Sequence, residues 1–309
     1  MSERLQKLAA RIASGEMILG DGAWGTQLQR AGLGFGDCPE EWNVSHPDEV
    51  KRVAREYLEA GADFCLTNTF GGNRYRLTRH GFADRLREFN LAGVALSLDA
   101  ARAFDAPVAA SVGPTGEFVQ PEGMLSEKEM RDAFREQIAV LKEGGADAIC
   151  VETMYVVQEA AIAVRAAKDA GFYCMASVTL DFTGDRFKTM LGTPIERAVR
   201  ALEGAGADVI GSNCGNGIAE MVIIAREMRK LTKKPLIIKS NAGVPELVNG
   251  VAVYGDTPEI MARAIKDFKD LGVSIVGGCC GTTPEHIRRF RAEIDLLKKN
   301  NGAAALLPP

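Results

Sequence analysis

The sequence predicts a single-domain α/β protein folded as a (β/α)8 TIM barrel, and three observations carry that prediction. The first is a recurring unit. Gly61-Ala-Asp-Phe-Cys-Leu-Thr-Asn68, Gly145-Ala-Asp-Ala-Ile-Cys-Val-Glu152 and Gly206-Ala-Asp-Val-Ile-Gly-Ser-Asn213 share one pattern, with Gly272-Val-Ser-Ile-Val-Gly-Gly278 as a further variant. Each follows an amphipathic stretch and starts on a glycine that can end a helix. Each then runs through a short apolar segment and stops at a polar or glycine-rich turn, the pattern of a buried parallel strand feeding a loop. The second observation is that four more apolar runs fill the gaps, so strand and helix alternate eight times in 309 residues, the length and rhythm of such a barrel. The third concerns the rival, a doubly wound open sheet, which calls for a glycine-rich dinucleotide turn after its first strand. Asp21-Gly-Ala-Trp-Gly-Thr26 lacks that spacing.

Taken in order, Met17–Gly20 is the first strand and ends at Asp21-Gly22. An irregular excursion, Leu33–Asn43, follows. A helix over Pro47–Ala60 starts after Ser45 as its N-cap. The second strand ends at Asn68, and Pro107–Val112 makes the third, ending at Gly113-Pro114. Ser126-Glu-Lys-Glu129 is a capping-box spacing and opens a helix over Ser126–Lys142. The fourth strand ends at Glu152, Tyr173–Leu180 makes the fifth and ends at Asp181, and the sixth ends at Asn213-Cys214. Pro235–Ile238 is the seventh, ending near Ser240-Asn241, and the eighth reaches Gly278-Cys279-Cys280. Helices over Thr257–Leu271 and Thr283–Lys298 each place a proline at the first helical position. No linker splits the chain, so residues 1–299 form the barrel and 300–309 read as a flexible tail.

Composition narrows the function. Hydrophobic residues are 46% and charged residues 25%, globular proportions that exclude a disordered or fibrous chain. A net charge of −4 supplies no general pull toward nucleic acid or an anionic membrane. The apolar runs, Leu236–Ile238 and Val273–Val276 among them, are far too short to span a bilayer. Met1–Gly15 has no continuous apolar core, so no signal peptide is read. A cytoplasmic location is expected. Seven cysteines then stand for reduced thiols, catalytic thiols or metal ligands more readily than for disulfides. Oligomeric state leaves no mark in the sequence.

In a barrel of this kind every strand delivers its last residues to one rim, where the chemistry gathers. Cys214 ends the sixth strand, and Cys279-Cys280 ends the eighth within Gly277-Gly-Cys-Cys-Gly-Thr-Thr-Pro284. The flanking glycines permit a backbone bend that aims both thiols one way. Three thiolates with an open fourth position suit a catalytic zinc ion that activates an incoming thiol as a nucleophile. Two bland readings compete from spacing alone: cysteines buried as small hydrophobes, and a strained vicinal disulfide. Asp21 and Glu152 end the first and fourth strands. Together they suit an ammonium group, and the Gly22-Ala23 amides suit a carboxylate, which together describe an amino-acid substrate. The alternative is that Asp21 caps a turn and Glu152 pairs with a nearby Arg or Lys. Trp24 and Phe70 either wall a substrate pocket or pack the barrel mouth, and Arg74-Tyr-Arg76 reads as a solvated helix face.

Asp21-Gly-Ala-Trp-Gly-Thr26, Asn68-Thr-Phe70, Gly113-Pro-Thr115, Glu152-Thr153, Asn213-Cys214, Asn241-Ala-Gly243 and Gly277-Gly-Cys-Cys-Gly-Thr-Thr-Pro-Glu-His-Ile287 together resemble the homocysteine S-methyltransferase family. The likeness is greatest to the homocysteine-binding barrel of cobalamin-dependent methionine synthase, and it runs from about Met17 to about Arg289. The resemblance implies zinc at the C-terminal rim with its ligands on Cys214, Cys279 and Cys280. It places the amino-group contacts on Asp21 and Glu152 and the carboxylate contacts near Gly22 and Ala23. It further implies an enzyme that moves a methyl group to the homocysteine thiol to give methionine.

Departures bear on the donor. Phe70-Gly-Gly-Asn73 lacks the tyrosine that the betaine-using branch offers as a spare zinc ligand, and Asp181-Phe182 lacks a serine-rich segment of methionine synthase. His46, His80 and His286 sit in no cobalamin-ligating motif. The expected donor is methylcobalamin or another methylated corrinoid supplied by a separate protein, with S-methylmethionine or S-adenosylmethionine as the alternative. Another small thiol as acceptor, and a non-catalytic zinc- or thiol-binding module, are the remaining readings.

Overall fold

The computed structural model describes the chain apart from residues 184–185, 249–250 and 305–309. Eight parallel strands form one sheet that curls into a TIM barrel: β1 Ile18–Leu19, β2 Cys65–Leu66, β3 Val108–Val112, β4 Ala148–Met154, β5 Tyr173–Val178, β6 Val209–Asn213, β7 Leu236–Ser240 and β8 Ile275–Gly278. Pairing runs from β2 through β3, β4, β5, β6, β7 and β8 to β1, each strand beside its neighbour in sequence. At the seam between β1 and β2 the bonds are few. Asp63 N–H donates to the Leu19 carbonyl at 2.7 Å, and two carboxylates accept from strand amides: Asp63 from Leu19 at 2.7 Å and Asp21 from Leu66 at 2.8 Å.

The repeated unit explains much of this. Gly61, Gly145, Gly206 and Gly272 all adopt positive φ where a helix turns into a strand, a conformation that favours glycine. The aspartate of the unit has a structural task that the pattern did not disclose. Asp63, Asp147 and Asp208 accept hydrogen bonds from the Leu19, Val108 and Cys174 amides, each on the strand before their own. Arg4, Arg11, Arg291 and Lys168 neutralise them.

An N-terminal helix, Glu3–Ala13, closes the barrel floor. Leu5, Leu8 and Ile12 pack on the inward residues Ile18, Leu66, Ala109, Cys150, Met175, Val209, Ile237 and Ile275. The capping box at Ser126 and Glu129 forms, and the helix runs Glu127–Glu143. Pro258 and Pro284 open the last two helices. Ser45 is not the N-cap of Pro47–Glu59. It ends a short helix, Trp42–Ser45, and His46 takes the cap position with no side-chain bond; the Ser45 hydroxyl bonds Glu41 instead. Two antiparallel hairpins, Asp181–Thr183 with Arg186–Lys188 and Glu246–Val248 with Val251–Val253, stand in the loops after β5 and β7. The last helix continues to Ala304, into the segment read as a tail, and 305–309 lie outside the described residues.

Candidate active site and metal centre

Strand side chains alternate with period two, so the residue two beyond each inward apolar side chain also faces the barrel interior. Above Ala109, Cys150, Met175 and Ile237 come Ser111, Glu152, Ser177 and Lys239. The apolar floor thus gives way to one polar tier. Lys239 is buried at its centre, with Nζ 3.2 Å from Asp21 Oδ1 and 3.4 Å from Glu152 Oε2. The other Asp21 oxygen accepts from the Trp24 indole and the Leu66 amide, both at 2.8 Å. Glu152 Oε1 accepts from the Ser111 hydroxyl at 2.6 Å. Burial alone would push Lys239 down, but the Glu152 and Asp21 carboxylates outweigh it and hold the ammonium well above the usual lysine range.

One tier higher sit the thiols. The Sγ atoms of Cys214, Cys279 and Cys280 lie within 4.8 Å of one another, and all three cysteines are free. Cys214 takes φ +61°, and Thr153, at the end of β4, takes φ +60°. Such values are uncommon outside glycine and concentrate at functional sites. Asn213 ties these two residues together: its Oδ1 accepts from the Thr153 amide and its Nδ2 donates to the Thr153 hydroxyl and, at 3.7 Å, to Cys279 Sγ. The bend at the end of the sixth strand therefore lies at Cys214 itself, while among the glycines flanking Cys279-Cys280 it is Gly281 that takes a positive φ, as the sequence led one to expect. Gly277 and Gly278 serve close approach instead, since a Cβ on Gly277 would come 2.9 Å from the Asp21 carbonyl and one on Gly278 would collide with Thr282. Gly281, at φ +82°, provides a turn beneath the Tyr254 ring.

A cavity of about 420 Å³ opens onto the tier and the thiols together, a size suited to a small metabolite. Gly22, Ala23, Trp24, Phe70, Ser111, Glu152, Lys239 and all three cysteines line it. Asp21 is fully buried and stands behind that wall. Gly22 faces the cavity, whereas the Ala23 amide already donates to Thr282 Oγ1 at 3.0 Å.

The family model described as homocysteine S-methyltransferase matches residues 18–294. The chain belongs to the homocysteine S-methyltransferase family. It is 38% identical to the methionine synthase of Mycobacterium tuberculosis over 306 residues and 37% identical to that of Mycobacterium leprae over 311, matches that cover 93% and 95% of this chain. The chain spans about a quarter of the length of these relatives, 25% in each case. The metallated form of the Escherichia coli homocysteine methyltransferase MmuM superposes with a TM-score of 0.78 at 23% identity, over 92% of this chain and 99% of that one. That likeness speaks to the fold.

The family whose model the chain matches is described by methyl transfer to homocysteine. The donor set of this family member fits a thiophilic divalent metal such as zinc. Without a cation the clustered thiols resist ionisation. Cys279 is raised, first by its hydrogen bond with Cys214. Cys214 is pushed up to about 11, the lowering hydrogen bond from Cys279 being outweighed by Cys280 and by burial. Asn241 Oδ1 is also buried without a hydrogen-bond partner among the described residues, and the next residue, Ala242, donates to the Cys280 carbonyl. Sequence reasoning missed Lys239, although Ile237 two residues before it carried the signal for an inward side chain. It also left unread Asn213 as the link between Thr153 and Cys279.

Proposed function

We propose that this homocysteine S-methyltransferase produces methionine with zinc held by Cys214, Cys279 and Cys280, and that its methyl group arrives on a corrinoid carried by a separate protein. The observation that supports this reading is the opening of three thiols and the Glu152 carboxylate into one cavity. A zinc ion bound by three thiolates supplies the Lewis acidity that keeps a further, incoming thiol ionised at neutral pH.

The chain's own residues position the substrate. Glu152 offers its carboxylate to the amino group, with Asp21 acting behind it through Lys239. Gly22 offers its amide to the carboxylate end, the role first expected of Gly22 and Ala23 together. Trp24 and Phe70 wall the cavity against water. An amino acid held at both charged ends presents its sulfur to the donor, and positioning of this kind supplies much of a displacement's acceleration. The cavity is too small for a corrin macrocycle, so a corrinoid partner would present its methyl group from the mouth. A cytoplasmic setting belongs to this reading; no helix among the described residues is long and apolar enough to cross a membrane.

One observation favours a second donor class. Arg76 and His80 also line the cavity, and the Arg76 guanidinium has no carboxylate within 4.0 Å among the described residues, whereas Arg74 and Arg79 on the same helix are paired. A small donor bearing a carboxylate, S-methylmethionine or S-adenosylmethionine, finds a countercharge there. The test is to incubate zinc-loaded protein with homocysteine and, separately, methylcobalamin, S-methylmethionine, S-adenosylmethionine and betaine, and to measure methionine by mass spectrometry. Methionine from methylcobalamin alone supports the corrinoid reading, and methionine from a sulfonium donor supports the second. No product with any donor, from protein holding stoichiometric zinc, leaves a non-catalytic thiol-binding module.

A further inference from the structure

Lys239 is a charged side chain in a place where packing alone does not require one. It is about as buried as its neighbours Ile237 and Ile238, and replacing a buried ion pair with apolar residues is often neutral for stability or better. The fold nevertheless makes room for it. Gly277 is its partner in register on β8, and a Cβ there would come within 3.2 Å of Lys239 Cγ. The slot between Asp21 and Glu152, where an ammonium ligand was expected, therefore already holds an ammonium. Its two contacts, at 3.2 and 3.4 Å, are longer than tight charge-assisted bonds of about 2.7–2.9 Å. An ammonium has three donors, the structure engages two, and the side chain lines the cavity.

We propose that Lys239 is a specificity residue that reads the substrate's carboxylate, its remaining N–H meeting the carboxylate of an amino-acid thiol while Glu152 takes the amino group. This rests on the reading that the cavity binds homocysteine and deepens it. Asp21, Glu152 and Lys239 together leave one negative charge. A zwitterion matches both signs at once. An amine without a carboxylate leaves the Lys239 donor unmatched, and an acid without an amine adds a second uncompensated negative charge.

The test uses calorimetry of the whole chain with three thioether probes, which carry no thiol and so make no call on the metal. They are methionine, the amine left when its carboxylate is removed, and the acid left when its amino group is removed. Wild-type protein is expected to bind methionine roughly tenfold or more tighter than the amine, the scale of one hydrogen bond to a charged group. Lys239→Met should cut that ratio severalfold, leaving what the Gly22 amide supplies, while Lys239→Arg, which keeps the charge, retains more of the preference. Glu152→Gln should keep that ratio and lose the preference for methionine over the acid. A Lys239→Met protein that keeps the full ratio overturns the proposal while the homocysteine reading survives; a wild-type protein indifferent to the carboxylate overturns it without recourse to any variant, and with it the hold of the Gly22 amide on that end. If the acid alone binds, and does so only with Lys239 intact, the homocysteine reading falls and the role of Lys239 stands. No binding by any probe sinks both.

Discussion

Asp21 and Glu152 occupy similar places in the sequence pattern, at the ends of the first and fourth strands, yet the structure predicts opposite consequences for neutralising them. Three donors converge on Asp21: the Leu66 amide and the Trp24 indole on one oxygen, and the Lys239 ammonium on the other. In Asp21→Asn the amide offers one acceptor and one NH2 group, so whichever way it turns an N–H faces a buried donor. Removing one partner of a buried ion pair costs about 3–5 kcal/mol. Lys239 keeps Glu152, which places the loss near the lower bound, about 3 kcal/mol. A chain of 309 residues unfolds with an entropy of roughly 0.6 kcal/mol/K, so Tm should fall by about 5 °C. Glu152→Gln is gentler. Its amide oxygen can still face Lys239 and its NH2 can face the Ser111 hydroxyl, which is able to turn and accept. The loss should be about 1 kcal/mol and Tm should fall by about 2 °C. Ligand binding should reverse the order, because Glu152 lines the cavity and Asp21 does not. Scanning calorimetry gives the Tm values and isothermal titration with methionine gives the affinities. A Glu152→Gln protein that melts lower than Asp21→Asn, or that binds methionine as the wild type does, would refute this division of labour.

Three further outcomes are expected. Cys280→Ala should lose zinc, read as metal per chain, while the metal-free protein keeps the wild-type circular dichroism; a zinc-retaining, active variant would remove Cys280 from the ligand set. Gly277→Ala should be destabilised by about 1–3 kcal/mol through overpacking, because its Cβ meets the Asp21 carbonyl and the Lys239 stem, and an unchanged urea midpoint would contradict that contact. Glu159 is buried against Thr115, and burial raises its carboxyl from 4.5 to about 7 despite two hydrogen bonds from that threonine. A carboxyl raised on folding keeps a proton that the unfolded chain releases, so its contribution is full below about pH 4.5 and is lost as pH rises through about 7. Glu159→Gln should accordingly match the wild type near pH 4.5 and exceed it by about 3 kcal/mol near pH 8; a pH-independent difference in denaturant titrations would disprove the assignment.

The barrel was legible because its signals are local. A glycine that ends a helix and an apolar run that enters a parallel sheet need no knowledge of distant residues, and the units starting at Gly61, Gly145 and Gly206 all sit where the pattern put them. The convergence of Cys214 with Cys279 and Cys280 was legible for a related reason, since strand order alone carries both strand ends to one rim. What escaped depends on neighbours distant in sequence. Ser45 reads as an N-cap until Glu41 claims its hydroxyl. Gly277 and Gly278 read as hinges until Asp21 and Thr282 are seen beside them. Lys239 reads as the end of an apolar run until two carboxylates from other strands are placed against it. The two hairpins rest on three-residue strands, too short for a period-two signal.

The seam between β1 and β2 shows why the polar tier and the barrel are difficult to change separately. Elsewhere the strands are held by regular backbone ladders, but here Asp63 and Asp21 place carboxylates on the Leu19 and Leu66 amides. Asp63 belongs to the floor, where Arg11 and Arg291 neutralise it. Asp21 belongs to the polar tier, where its countercharge is Lys239, which also faces Glu152 and the cavity. One carboxylate therefore closes the barrel and sets the charge that a ligand meets. Substituting Asp21 to retune the acceptor would loosen the closure, and substituting Lys239 by an uncharged residue would strand the buried Asp21 carboxylate without its countercharge, whereas substituting Glu152 leaves both the Asp21 to Leu66 bond and the Asp21 to Lys239 pair in place. Changes in acceptor selectivity within this scaffold should accordingly be easier to obtain at position 152 than at positions 21 and 239. A library randomised at all three and selected for binding of altered thioethers should return Asp21 unchanged, and recovery of folded variants with an apolar residue there would show that the seam closes without it.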